Sequence, residues 1–234
     1  MKRVIGTIVL LSLSAALAFA QVTPADPADL GQDAAQQRLQ EVSVTRFEDP
    51  GMWDVFIPAD RGVISHRRFE GGPSNKQPIE AEVEAGIEEQ DEFVLGVKAE
   101  FYRRGDAPIT ISLRRPLAIA GIVKTISVWV VGRSYNHELQ LVVEDQAGNR
   151  NYLSFGRINH SGWGTRPMSV AVPQNIVQQE LHGPNTGLYV HGFVIRPEIT
   201  ETYGTFYVYL DDMRATTDLF PEISRDPDDM SDNW

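Results

Sequence analysis

Between residues 41 and 217 the apolar side chains recur at every second position, in short runs closed by Gly, Pro, Asn or Asp. Phe93, Leu95, Val97, Ala99 and Phe101 alternate with Val94, Lys98, Glu100 and Tyr102. Successive side chains of a strand point to opposite faces, so this spacing marks strands that bury one face. Leu139, Leu141 and Val143 run into Asp145-Gln146-Ala147-Gly148-Asn149, and Asn151, Leu153 and Phe155 follow at once. Gly148 and Asn149 therefore predict a β-hairpin. Further runs lie at 42–47, 63–69, 110–113, 126–131, 168–172, 188–195 and 205–210. No segment has the length and period of a helix able to cover a parallel sheet. The pattern predicts an all-β chain, an antiparallel β-sandwich of the jelly-roll kind.

The ends read differently. Met1-Lys2-Arg3 precedes an apolar stretch broken by Gly6, Thr7, Ser12 and Ser14, and Ala18-Phe19-Ala20 follows. A charged start, a short apolar run and an A-x-A site describe an export signal, residues 1–20, cut near Ala20. The stretch is short of the ~20 apolar residues that a membrane span needs. Residues 21–40, rich in Ala, Gln, Asp and Pro, predict a flexible arm, and residues 218–234 an acidic tail. The β domain between them, 41–217, has no cysteine to staple it, so its hydrophobic core must hold it. The formal net charge of −11 becomes more negative once Lys2 and Arg3 are removed. Nucleic acid and anionic lipid are thereby poor candidate partners. The acidic stretch 79–92 is expected to be a solvated hairpin or loop, with a docking surface for a basic partner as the lesser reading.

Catalysis finds little support. There is no cysteine nucleophile and no G-x-S-x-G elbow. In Asn159-His160-Ser161-Gly162-Trp163-Gly164 the His and Ser are neighbours, whose side chains point apart in an extended loop, and the phrase reads as a Gly-rich loop with a packed Trp163. The five histidines lack metal-ligand spacing. The chain is read as a non-enzyme without a cofactor, one site excepted. Glu48 and Asp49 stand in Phe47-Glu48-Asp49-Pro50-Gly51-Met52-Trp53, and Asp211 and Asp212 close Phe206-Tyr207-Val208-Tyr209-Leu210-Asp211-Asp212. If the first and last strands are neighbours, these carboxylates converge on an oxygen-lined site for a structural calcium ion. The arrangement resembles that of carbohydrate-binding jelly rolls, although Pro50 is inserted before Gly51. Trp129, Trp163, Tyr207, Tyr209 and Trp234 are the candidates for binding or assembly contacts.

Longer phrases carry a second resemblance. They are Leu95-Gly96-Val97-Lys98-Ala99-Glu100-Phe101, Val123-Lys124-Thr125-Ile126-Ser127-Val128-Trp129-Val130-Val131-Gly132-Arg133, Tyr135-Asn136-His137-Glu138-Leu139 and Gly162-Trp163, with Gly204 to Asp212 near the end. Over 95–173, and through that closing phrase over most of the mature chain, the sequence resembles the outer-layer (sheath) protein of spirochaete periplasmic flagellar filaments. The resemblance implies an exported, non-enzymatic protein of the periplasmic flagellum that contributes to motility. It also implies the partners, a flagellin core filament and other sheath subunits. A secreted carbohydrate-binding module is the rival reading.

Overall fold

The computed structural model describes residues 39–87, 90–180 and 185–219. The export signal, nearly all of the predicted arm, Trp234 and most of the acidic tail lie outside them. Eleven strands are described: β1 (Leu39–Thr45), β2 (Trp53–Phe56), β3 (Gly62–Glu70), β4 (Phe93–Phe101), β5 (Ile109–Ile119), β6 (Ile122–Val131), β7 (Glu138–Glu144), β8 (Arg150–Arg157), β9 (Met168–Ala171), β10 (Leu188–Arg196) and β11 (Gly204–Asp218). One sheet runs β3-β4-β11-β6-β9, with β1 also pairing β11, and the other runs β2-β5-β10-β7-β8. Every pairing is antiparallel. The chain is an antiparallel β-sandwich, as the period-two pattern requires. Among the described residues no helix is long and apolar enough to cross a membrane.

The alternating residues meet between the sheets. Leu95, Val97, Val208 and Leu210 from one sheet and Ile111, Leu141, Val190 and Phe193 from the other belong to a single core cluster. Burial of this kind contributes about 25 cal/mol for each Å² of apolar surface removed from water. At one end of the core Trp53 stacks on Phe47 at 5.0 Å between centroids and on Phe193 at 6.1 Å. The 47–53 phrase is thus a plug. Asp49 caps a 3-10 turn, Pro50–Met52, by accepting the Gly51 amide, and the turn delivers Trp53 into the core.

Several boundaries differ from the sequence reading. Leu39 and Gln40 belong to β1, because they pair with Asp218 and Thr217. The predicted hairpin joins β7 to β8, with Asp145 Oδ1 accepting the Ala147 and Asn149 amides. The stretch 79–92 carries a short helix, α1 (Glu80–Glu84), where a hairpin or loop was expected. Glu80 and Glu82 lie in its first turn, where the helix dipole favours carboxylates. Its charge is partly used internally, since Arg46 pairs with Glu82 and with Asp91.

Candidate functional site

The first and last strands do lie side by side, β1 against β11. The four predicted calcium ligands nevertheless take separate partners. Glu48 Oε1 accepts the backbone amides of Glu92 and Phe93 at 2.7 and 2.9 Å. Asp49 is spent on its cap, and Asp212 is gripped by Arg214 Nε at 3.0 and 2.8 Å. Asp211, 1 % exposed, accepts the Lys76 ammonium at 2.8 Å, and that ammonium also binds Asp91 at 2.5 Å. Among the described residues no group of three or more His, Asp or Glu is arranged to hold a metal ion. The positive charge at this corner comes from two side chains that spacing alone did not connect to it.

The charges here are finely set. Burial pushes the Asp211 carboxyl up to about 6, against the pull of Lys76. Burial acts to lower the Lys76 ammonium, but its contacts with Asp211 and Asp91 outweigh that and raise it. Lys76 thereby ties the segment 71–79 onto the outward side of β11. Arg214 adds a second tie, donating to the Gln77 carbonyl at 2.6 Å.

That covering segment divides the outer face of the six-stranded sheet. On its covered part Asp211 pairs with Trp129. Trp129 is 4 % exposed yet outside the inter-sheet core cluster. This removes it from the candidate contacts: a ring read as a surface platform is already buried.

The uncovered part is a shallow groove of about 420 Å³. Its first rung is Ser65, Lys98 and Tyr207, and the next is Arg67, Gly96 and Tyr209, aligned across β3, β4 and β11. A Cβ on Gly96 would fall 2.4 Å from the Phe69 ring. The glycine therefore lets Phe69 and Tyr209 meet edge to face at 5.4 Å. Arg133 donates to the Tyr209 hydroxyl at 3.2 Å and lies over the Tyr207 and Tyr209 rings. Arg67 lies over Phe69 at 4.4 Å.

Tyr207 and Tyr209 are thus half-exposed on the outward face, while Phe206, Val208 and Leu210 fill the core. Trp163 is half-exposed too and lines a neighbouring depression with Phe69, Arg133 and Tyr209, instead of packing inside its loop. The three ring candidates that the structure brings together are Tyr207, Tyr209 and Trp163. Phe69, Gly96, Arg67, Lys98 and Arg133 complete the face and were not anticipated. Strand register, which composition does not reveal, is what assembles them.

His137 was likewise missed as a buried group. It is 0 % exposed among Phe101, Tyr135 and Phe206, and its Nδ1 accepts the Glu198 amide at 3.1 Å. Burial pushes its pKa down to about 4 from 6.5, against Glu201 and Glu198. The unfolded chain therefore binds a proton here, between about pH 6.5 and 4, that the folded chain refuses. The stability from His137 is full above pH 6.5 and is lost as pH falls toward 4. Asp211 has the opposite sign. Its folded pKa of about 6 exceeds the 3.8 of a free aspartate, so its stability is full below 3.8 and lost as pH rises through 6. Each effect is on the order of 3 kcal/mol, and the two oppose each other between pH 4 and 6. We expect His137→Gln to unmask a urea midpoint that, relative to the parent, falls from pH 4 to 6. Asp211→Asn should steepen the parent's loss on acidification.

Comparison with known proteins places the chain in a family. The chain is 32 % identical over 205 residues to a putative flagellar filament outer layer-like protein of Brachyspira hyodysenteriae, covering 87 % of this chain and 91 % of that one. A 43-residue stretch is 37 % identical to a flagellar filament outer layer protein of Spirochaeta aurantia, 18 % of this chain and 13 % of the other. Among solved structures, a family 11 carbohydrate-binding module from Clostridium thermocellum, in complex with a mixed-linked tetrasaccharide, aligns at a TM-score of 0.44. The alignment has 11 % identity over 76 % of this chain and 96 % of the module. The model of the flagellar filament outer layer protein family matches residues 15–225, which include every described strand. The chain belongs to the flagellar filament outer layer protein family.

Proposed function

We propose that this protein is a non-catalytic subunit of the outer layer of a periplasmic flagellar filament. It would be exported by the segment ending near Ala20, laid on a flagellin core and contribute to motility. The observation that carries this reading is the family match over residues 15–225. The fold is compatible with it: a cysteine-free sandwich in which Glu48, Asp49, Asp211, Asp212 and His137 are taken up by caps, ion pairs and burial, with an open groove on the outer face of the six-stranded sheet. Filaments freed of membrane by detergent should carry the protein in the flagellin fraction. Its recovery only among free periplasmic proteins would contradict the proposal.

A second reading, a secreted carbohydrate-binding module, draws on the half-exposed rings of Tyr207, Tyr209 and Trp163, since flat rings can stack on sugars. Retention on insoluble polysaccharides, abolished by Tyr209→Ala, would favour it over the filament reading.

A further inference from the structure

The groove on the outer face is chemically out of character with the rest of the chain. The protein has 32 acidic and 21 basic residues, yet no Asp or Glu is among the described residues that line the groove. Arg67 and Arg133 are exposed beside it, and their guanidinium groups lie over aromatic rings. Lys98 stands on its floor, with one partner, Glu100. A surface of this composition fits a segment that carries carboxylates and an apolar or aromatic side chain. Residues 220–234 of the same sequence have that chemistry. They hold Glu222, Asp226, Asp228, Asp229 and Asp232 against the single Arg225, together with Phe220, Met230 and Trp234.

Placement decides whether the segment meets its own groove or another. The groove lies at the start of β11, around Tyr207 and Tyr209, while the described chain ends beyond Asp218, at the other end of that strand. About eleven residues of strand separate the two, roughly 35 Å. Fifteen residues reach at most about 50 Å when fully extended. A return to its own groove would consume most of that length, and the direct way back is covered by the segment that Lys76 and Arg214 tie down. A second copy in line with the first faces no such obstacle.

We propose that residues 220–234 dock in the Arg67–Lys98–Tyr207–Tyr209–Arg133 groove of a neighbouring copy. The contact is head-to-tail. It joins different surfaces of two subunits, so it repeats without closing unless a rotation brings it round, and it produces rows of subunits. The inference rests on the outer-layer reading only for the reason that copies need to meet.

The test uses the full chain, in which introduced thiols are the only ones because the sequence has no cysteine. Lys98→Cys protein is mixed with Asp229→Cys protein under mild oxidation, without filaments. The expected product is the crossed dimer, in excess over either symmetrical dimer. Adding Arg67→Glu and Arg133→Glu, both at exposed positions, should lower its yield by about tenfold, and so should 1 M salt. Synthetic peptide 220–234 should compete. Circular dichroism of the charge-reversal protein checks that it is folded. Absence of the crossed dimer would overturn the proposal, as would a double-cysteine chain that cross-links only within itself. Because no filament is present, either result leaves the outer-layer assignment to its own experiment.

Discussion

Lys76→Met should cost about 3 kcal/mol at pH 7.5, because it strands a buried carboxylate. Asp211 is 1 % exposed and its Oδ1 already lacks a hydrogen-bond partner, so the ammonium is its main compensation. The cost should shrink near pH 5, where a carboxyl with a pKa of about 6 in the parent protonates readily and the charge disappears. Pairing Lys76→Met with Asp211→Asn should restore much of the loss, since a neutral pair leaves no isolated charge. Denaturant midpoints of the four proteins at the two pH values make the double-mutant cycle. Equal losses at both pH values would contradict the assigned charge balance. The segment 71–79 should also be cut faster by protease in the single variant, since one of its two ties to β11 is gone.

Gly192→Ala should be more damaging, at least about 4 kcal/mol, most of the stability of a domain near the low end of the ordinary range of about 5–15 kcal/mol. Gly192 sits in β10, between β5 and β7, where the register shifts in both pairings after Val190. Its φ is +131°, and a Cβ there would fall 2.2 Å from the Ile111 carbonyl oxygen and 2.8 Å from the Ser112 Cα. Both obstacles are backbone in the adjoining strand, so relief requires separating two strands of the core sheet. Gly148→Ala is the control. Its φ of +82° is also positive, but nothing lies within 4 Å of the added carbon. That change should cost only about 1–2 kcal/mol, the strain of a left-handed residue alone. Similar thermal shifts for both would mean that β10 yields where the geometry says it cannot.

The same backbone irregularities explain which parts of the fold were legible in the sequence. The alternation of Phe206, Val208 and Leu210 marks the first half of β11, and the strand then vanishes from the pattern. It continues to Asp218, but the register shifts between Asp211 and Arg214, with Asp212 at φ 45°, and the core positions resume at Met213 and Ala215. An added residue reverses the phase of a period-two signal, so the run stops at Leu210 although the strand continues. β5 was cut short for a related reason, at Arg114-Arg115-Pro116, where its register against β10 jumps. β2 has four residues, too few to establish a period.

The candidate site was legible only in part. Tyr207 and Tyr209 could be assigned to one face by parity, and they do share it. Trp129 has the same outward parity and is nevertheless buried, because a segment distant in sequence lies over its part of the sheet. The carboxylates of the supposed calcium corner illustrate the converse. The first and last strands adjoin as expected, with Glu48 and Asp49 just past the end of β1, but Lys76 from the covering segment and Arg214, two residues along β11, supply the cations. Arg67, Lys98 and Arg133 became part of a groove only through registers of β3, β4 and β11 that no local pattern encodes.

The proposed function places the protein on a flagellar filament as a coat. Cryo-electron tomography of cells with and without it tests this most directly, by comparing the filaments in the periplasm. Cells lacking the chain should show filaments with part or all of the outer layer of density missing around an intact core. Filaments of unchanged width and surface, with the protein elsewhere in the periplasm, would contradict it.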